Sequence, residues 1–254
     1  ELATAGVRTI LVTGDVTATV KYVADEVGIA TEPVVTGDDV AAASDAELER
    51  VVRETHVFAR TTPEHKLRLT EALQGQGQTV AVTGDGVNDA PALRAAHLGI
   101  AMGSRGTDVA RDAGDLILTD DDLTHLPEGV AIGRKAYDSF RKGITYYLSA
   151  KVILLAGLGV PLAVGVPFPF APIQIIATEL LMDLASSTIF VTETAEPNVM
   201  KRKPRPGGPF LSWQVAQRIF RNTIGLAITI LLVYFTSLGL GYQVDSARTA
   251  AFAT

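Results

Sequence analysis

The sequence predicts an α/β domain built on a parallel sheet, followed by α-helical segments that cross a membrane. Three observations carry this. Short apolar runs ending in Gly-Asp turns alternate with helical patterns through the first half. Long apolar runs with few charges fill the second half. The change is abrupt: up to about residue 142 the chain is charged and mixed, and beyond it apolar stretches dominate.

Composition narrows the classes. Of 254 residues, 47% are hydrophobic, yet 22 basic and 28 acidic side chains leave a net charge of −6, which does not suggest a nucleic-acid partner. The absence of cysteine excludes disulfides, thiol catalysis and thiolate metal sites. Glu1-Leu2-Ala3 shows neither an initiator Met nor a signal peptide and reads as the middle of a helix. The expectation is a piece of a larger protein.

The elements follow in order. Arg8 to Asp15 reads as a strand ending in Thr13-Gly14-Asp15, and Lys21 to Val27 as a helix closed by Gly28. Val34 to Asp39 repeats the Thr-Gly-Asp theme on different flanks and reads as a solvated turn before a helix from Asp45 to Glu54. His56 to Arg60 is the next strand. Thr62-Pro63-Glu64 then opens a helix with a capping residue and Pro in its first turn. Lys66 lies in that first turn, where a cation opposes the macrodipole, so an anionic ligand explains it better than helix stability does.

Val80 to Leu93, VAVTGDGVNDAPAL, organises the domain. Val80 to Val82 reads as a strand buried on both faces, Gly84 and Gly86 turn the chain about Asp85, and Asn88 and Asp89 stand at a helix start with Pro91 behind them. Two carboxylates and an amide thus lie at the carboxyl end of a strand, where open parallel sheets bind ligands. Leu98 to Met102 and Leu116 to Leu118 are further strands, and Gly103 to Gly106 is a turn without assigned chemistry. A phosphoryl site needs a hydroxyl donor, a lysine and carboxylates for Mg²⁺. Thr13, Lys66 and Asp85 to Asp89 supply all three.

The apolar half divides at its prolines. Ile144 to Val166 carries one charge, Lys151, and reaches the ~20 residues a bilayer requires. Pro167, Pro169 and Pro172 interrupt it. A second run from Pro172 to Val191 holds Glu179 and Asp183, and a third covers Ile224 to Leu240. Basic residues gather before the first span (Arg134, Lys135, Arg141, Lys142) and after the second (Lys201, Arg202, Lys203, Arg205), which puts both clusters in the cytoplasm. Intramembrane charge is costly, so Lys151, Glu179 and Asp183 are functional candidates. At ~1.5 Å per residue, Lys151 and Asp183 lie at similar depths of ~10–12 Å, so a pair between them is geometrically reasonable, with Glu179 deeper, near the bilayer centre.

These motifs carry a resemblance. TGDGVNDAPAL, FARTTPEHK at Phe58 to Lys66 and the first TGD resemble the P-type ATPases, ion pumps built on a haloacid-dehalogenase-like phosphorylation domain, and the later spans are similar to the calcium-pump branch. The resemblance implies a Rossmann-type parallel sheet and an ATP-driven, Mg²⁺-dependent cation pump with an aspartyl-phosphate intermediate. It implies Thr13, Lys66, Asn88 and Asp89 as catalytic residues, Asp85 as the Mg²⁺ ligand with Asp89 in support, and Gly14, Asp15 and Arg60 near ATP. It divides the chain into phosphorylation domain (1–122), stalk helix (123–143), spans at 144–166, 172–194 and 216–240, a cytoplasmic loop (195–215) and an external tail (241–254) that begins a further span.

The implied partners are the lipid bilayer, the transported cation and the actuator, nucleotide-binding and membrane parts that this sequence lacks. The family's DKTGT nucleophile string is absent too, so the chain alone is expected to be inactive. Calcium pumps place Asn and Glu on the fifth membrane helix, Asn and Asp on the sixth. Here those positions hold Lys151, Leu154, Glu179 and Asp183, which favours a site for one cation, Ca²⁺ or a proton. A membrane-anchored phosphatase of the same fold, or a non-catalytic relic, is the alternative.

Overall fold

The computed structural model describes residues 1–205 and 212–254. Two compact units form: Glu1–Gly129 with Met200–Arg205, and Val130–Val199 with the chain beyond Arg205.

In the first unit the order is β1 (Leu11–Val12), α1 (Thr17–Glu26), β2 (Val34–Thr36), α2 (Gly37–Ala42), α3 (Asp45–Glu54), β3 (Val57–Ala59), α4 (Pro63–Gly75), β4 (Ala81–Gly84), a single 3₁₀ turn Val87–Asp89, α5 (Ala90–Ala95), β5 (Leu98–Met102), α6 (Asp108–Ala113) and β6 (Leu116–Leu118). All pairing is parallel, but in two separate three-stranded sheets, β1-β3-β2 and β4-β5-β6, where one sheet was expected. Among the described residues, β1 bonds only to β3 and β4 only to β5, so each keeps one unpaired edge.

The central strand of the first sheet explains its stability. Val57, Phe58 and Ala59 are all buried, the continuous apolar run expected of a strand covered on both faces. Their side chains alternate. Phe58 packs with Val40, Leu48, Val52 and Leu69 on one face, and Val57 and Ala59 with Val20 and Ala24 on the other. In the second sheet, Ala101 meets Leu93, Ala110 and Ala113, while Ile100 and Met102 meet Leu118.

Two local expectations change. Strand β4 is not buried on both faces: Ala81 and Thr83, which share one face, are exposed, and only Val82 on the other packs against the Leu93 cluster. The Thr-Gly-Asp at Thr36 to Asp38 is not a solvated turn. Val34–Thr36 pairs with β3, and Thr36 caps α2 reciprocally with Asp39. Gly37 is required there, since a Cβ would lie 2.3 Å from the Arg60 carbonyl oxygen.

The second unit is helical: α7 (His125–Ala163), which starts in the first unit, α8 (Pro172–Thr192), α9 (Trp213–Gly239) and α10 (Val244–Phe252). Among the described residues, α7, α8 and α9 are long and apolar enough to cross a membrane. The stalk and first span form one uninterrupted 39-residue helix. It stops soon after Pro161, whose ring removes one rung of the backbone ladder. The loop expected at 195–215 falls partly outside the described residues. The tail folds as α10 against α9, where Ile230, Tyr234, Ala247 and Ala251 share a buried cluster. The Tyr234 hydroxyl donates to the Pro167 carbonyl at 2.6 Å and Arg248 Nε to that of Phe168 at 3.0 Å, fixing the α7–α8 turn. At the other end of this hairpin Lys142 pairs with Glu193 at 2.6 Å and Glu196 at 3.2 Å.

Candidate functional site

The site starts from the turn after β4. Gly84 allows that turn because Asp89 folds back beneath it: a Cβ on Gly84 would lie 2.4 Å from the Asp89 Cβ. Asp89 is 8% exposed. A carboxylate that buried needs partners. Its Oδ1 accepts from Lys66 Nζ at 2.6 Å, and its Oδ2 from the backbone N–H groups of Asp85 at 3.3 Å and Gly86 at 3.4 Å. Both oxygens are therefore engaged within the protein. Asp85 and Asn88 are exposed, and no side-chain bond to either is found among the described residues.

Lys66 is delivered by the cap of α4. The Thr62 hydroxyl accepts from the His65 N–H, Pro63 occupies the first turn, and Lys66 N–H closes onto the Thr62 carbonyl at 3.1 Å. The unfavourable placement of Lys66 against the helix dipole is thus offset by the Asp89 carboxylate.

The first Thr-Gly-Asp lies beside the segment leading into α4. Thr61 N–H donates to the Thr13 carbonyl at 3.0 Å, and Arg60 N–H to that of Asp15 at 2.9 Å. Arg60 holds a left-handed backbone, φ +53°, to make this turn. The Thr13 hydroxyl bonds locally to Asp15, whose N–H donates to it at 3.2 Å. Gly14, Asp15 and Arg60 are exposed. The structure thus joins Lys66 to Asp89 and Asp85, and separately Thr13 and Asp15 to Arg60 and Thr61. Thr61 escaped the sequence reading: its hydroxyl is buried without a hydrogen-bond partner among the described residues. No spacing rule points to it.

The donor set suits Mg²⁺. A hard cation sharing phosphate and water oxygens needs one or two free carboxylates. Asp85 offers one, and the saturated Asp89 holds the turn rather than competing for the ion.

In the helical unit the expected Lys151–Asp183 pair does not form. Lys151 bonds instead to Glu179, with its ammonium 4.7 Å from the centre of the Tyr147 ring. The depth estimate counted the rise of each helix alone and left out the reach of the long lysine side chain. The Lys151 side chain reaches along the axis to the carboxylate one turn away from Asp183, at Glu179. Asp183 is exposed, with no ion pair among the described residues. Tyr147 was also missed, although its place one turn before Lys151 was visible.

Residues 1–97 match the family model for haloacid dehalogenase-like hydrolases, and residues 167–254 that for the cation transporting ATPase C-terminus. Along nearly its whole length the chain is similar to cation-transporting ATPases. Curated relatives run along nearly all of it. Calcium-transporting ATPase 1 of Yarrowia lipolytica is 36% identical over 242 residues, which is 93% of this chain and 26% of that protein. The probable cation-transporting ATPase F of Mycobacterium tuberculosis is 40% identical over 259 residues, 97% of this chain and 28% of that protein. The calcium-transporting ATPase of Bacillus subtilis is 37% identical over 262 residues, 100% of this chain and 29% of that protein. The chain spans between a quarter and a third of the length of these relatives. Among solved structures, the catalytic domain of the CPx-ATPase CopB-B covers 49% of this chain and 39% of its own, at 29% identity and a TM-score of 0.38.

Proposed function

We propose that these residues form the phosphate-handling and ion-carrying part of an ATP-driven cation pump. The observation that supports this most is the Lys66–Asp89 contact at the carboxyl end of β4, beside an uncommitted Asp85. A lysine and a free carboxylate at one strand end suit a transferring phosphoryl group better than they suit a structural turn.

In this reading ATP phosphorylates an aspartate outside the present chain. The unpaired edges of β1 and β4 suit a parallel strand inserted between them, whose end would bring that aspartate near Thr13 and Asp85. Asp85 holds Mg²⁺, which offsets charge on the phosphate oxygens. Lys66 adds a fixed positive charge, Thr13 and Asn88 donate hydrogen bonds to the phosphoryl group, and Asp89 aims Lys66. Gly14, Asp15 and Arg60 face ATP. The phosphorylation domain lies in the cytoplasm and α7, α8 and α9 cross the bilayer. Glu179 and Asp183 carry the cation, for which the calcium-transporting relatives make Ca²⁺ the first candidate and a proton the second.

The test is transfer of ³²P from [γ-³²P]ATP to the full-length protein in liposomes, titrated with Ca²⁺ and with pH. An acid-stable, hydroxylamine-sensitive phosphoprotein is expected only with the activating cation, and Asp85→Asn should abolish it. Absence of phosphoprotein under every cation and pH condition overturns the reading.

A further inference from the structure

The turn from Gly103 to Thr107 is held more firmly than a connecting loop requires. Gly103 N–H donates to the Leu118 carbonyl at 2.7 Å. The Asp121 carboxylate, 8% exposed, accepts from the Ser104 N–H at 3.0 Å and the Arg105 N–H at 2.8 Å. Asp121 itself holds a left-handed backbone, φ +60°, a cost its surroundings must offset. The Arg111 guanidinium donates to the carbonyls of Gly103, at 2.9 Å, and of Gly106, and it also pairs with Asp108. A Cβ on Gly106 would run into the Met102 carbonyl, so the turn admits no side chain there. What this turn holds is Asp85. The Thr107 N–H donates to the Asp85 carbonyl at 2.8 Å. The Asp85 N–H donates to Asp89 Oδ2 at 3.3 Å. Both peptide groups flanking the Asp85 Cα are therefore fixed, while its side chain stays exposed.

We propose that Arg111 and Asp121 are positioning residues for the Mg²⁺ ligand Asp85, acting on it through the turn at 103–107. This rests on the pump reading, in which Asp85 holds the ion. Mg²⁺ demands near-octahedral geometry and tolerates little error in where a ligand stands. An aspartate side chain turns about only two bonds, so a fixed backbone leaves its carboxylate few positions. Asp89 supplies one backbone anchor and also holds Lys66. The turn supplies the other. Without Arg111 the carbonyls of Gly103 and Gly106 lose their shared donor. Without Asp121 the N–H groups of Ser104 and Arg105 lose their shared acceptor. In either case Thr107 gains freedom, and the Asp85 peptide moves with it. Supports of this kind behind a metal ligand are worth about 10–100-fold in metal affinity.

The experiment uses the full-length protein in detergent, with Mn²⁺ as the probe, inorganic phosphate present and no ATP. Bound Mn²⁺ is counted by the loss of the free-ion EPR signal, and the binding that Asp85→Asn lacks defines the site. Arg111→Met should raise the Mn²⁺ dissociation constant at this site about tenfold, with the number of sites unchanged. Asp121→Gly, which keeps the left-handed backbone, should do the same. Asp121→Asn retains an acceptor and tolerates that backbone, so it should stay close to wild type. A turn that serves stability alone would give fewer sites of unchanged affinity. That result overturns the inference, as does an unchanged dissociation constant in either Arg111→Met or Asp121→Gly, or an Asp121→Asn protein as weak as Asp121→Gly. If neither of the two disruptive variants folds, Arg111→Lys decides. Its ammonium can serve one of the two carbonyls, so a smaller loss of affinity is expected, and no loss overturns the inference. If the wild type binds no more Mn²⁺ than Asp85→Asn, the metal role of Asp85 in the pump reading fails first and the inference falls with it.

Discussion

Replacing Lys66 with Met should loosen the Asp89 turn whatever the pump does. The change removes a 2.6 Å charge-assisted bond and keeps most of the side-chain volume. It leaves a carboxylate on a residue 8% exposed, with only two backbone donors at 3.3 and 3.4 Å. Breaking a buried pair by removing one partner costs about 3–5 kcal/mol. The Lys66 side chain is 20% exposed, so water can partly replace it and the lower end, about 3 kcal/mol, applies. At 1.4 kcal/mol per decade this raises local opening about 100-fold. Hydrogen exchange of the β4–α5 backbone amides in the detergent-solubilised chain reads that opening directly. Adding Asp89→Asn should recover most of the loss, because the orphaned charge is gone. Protection within threefold of wild type in Lys66→Met would refute the reasoning, and so would a double variant no better than the single one.

Three further outcomes follow from the same kind of argument. Gly84→Ala forces a Cβ against Asp89 and should cost about 1–3 kcal/mol, read as faster exchange over the β4 turn. Tyr234→Phe removes the 2.6 Å bond to the Pro167 carbonyl and should lower stability by about 1 kcal/mol, measured by thermal unfolding in detergent. The Thr36 hydroxyl, followed by the Thr36 backbone N–H, holds the Asp39 carboxyl below its ordinary value. The folded form is the more acidic one, so the stability this cap provides is present above the unfolded carboxyl pKa and lost as pH falls through the folded one. A ¹³C titration of the Asp39 carboxyl should show the depression, and Thr36→Val should relieve much of it.

The sequence revealed those parts whose signals are local. Thr62-Pro63 begins α4 because capping and a fixed φ act within one turn. The apolar runs became α7, α8 and α9 because length and hydropathy are properties of contiguous residues. Lys66 was suspect because its position contradicts the helix dipole, and the Asp89 pair is the physical answer. The failures were non-local. Strand β2 has three residues, and its stability comes from β3, which no window around Val34 contains. The exposure of Ala81 and Thr83 depends on what covers that face of β4, which lies outside any window around it. The Lys151 partner depended on the reach of its side chain along the helix axis, and depth counting put the pair one turn away, at Asp183 instead of Glu179.

The unpaired strand edges also bear on handling. Among the described residues, strands β1 and β4 each present one edge whose backbone donors and acceptors have no strand across from them. Such a row is a template for any extended peptide, including the same strand of another copy. Produced without a chain to fill these edges, the polypeptide should associate edge to edge as its concentration rises, even with its apolar helices well shielded by detergent. Colloidal behaviour would then be governed by the soluble half, and a short strand-forming peptide added in excess should keep the preparation dispersed where more detergent does not.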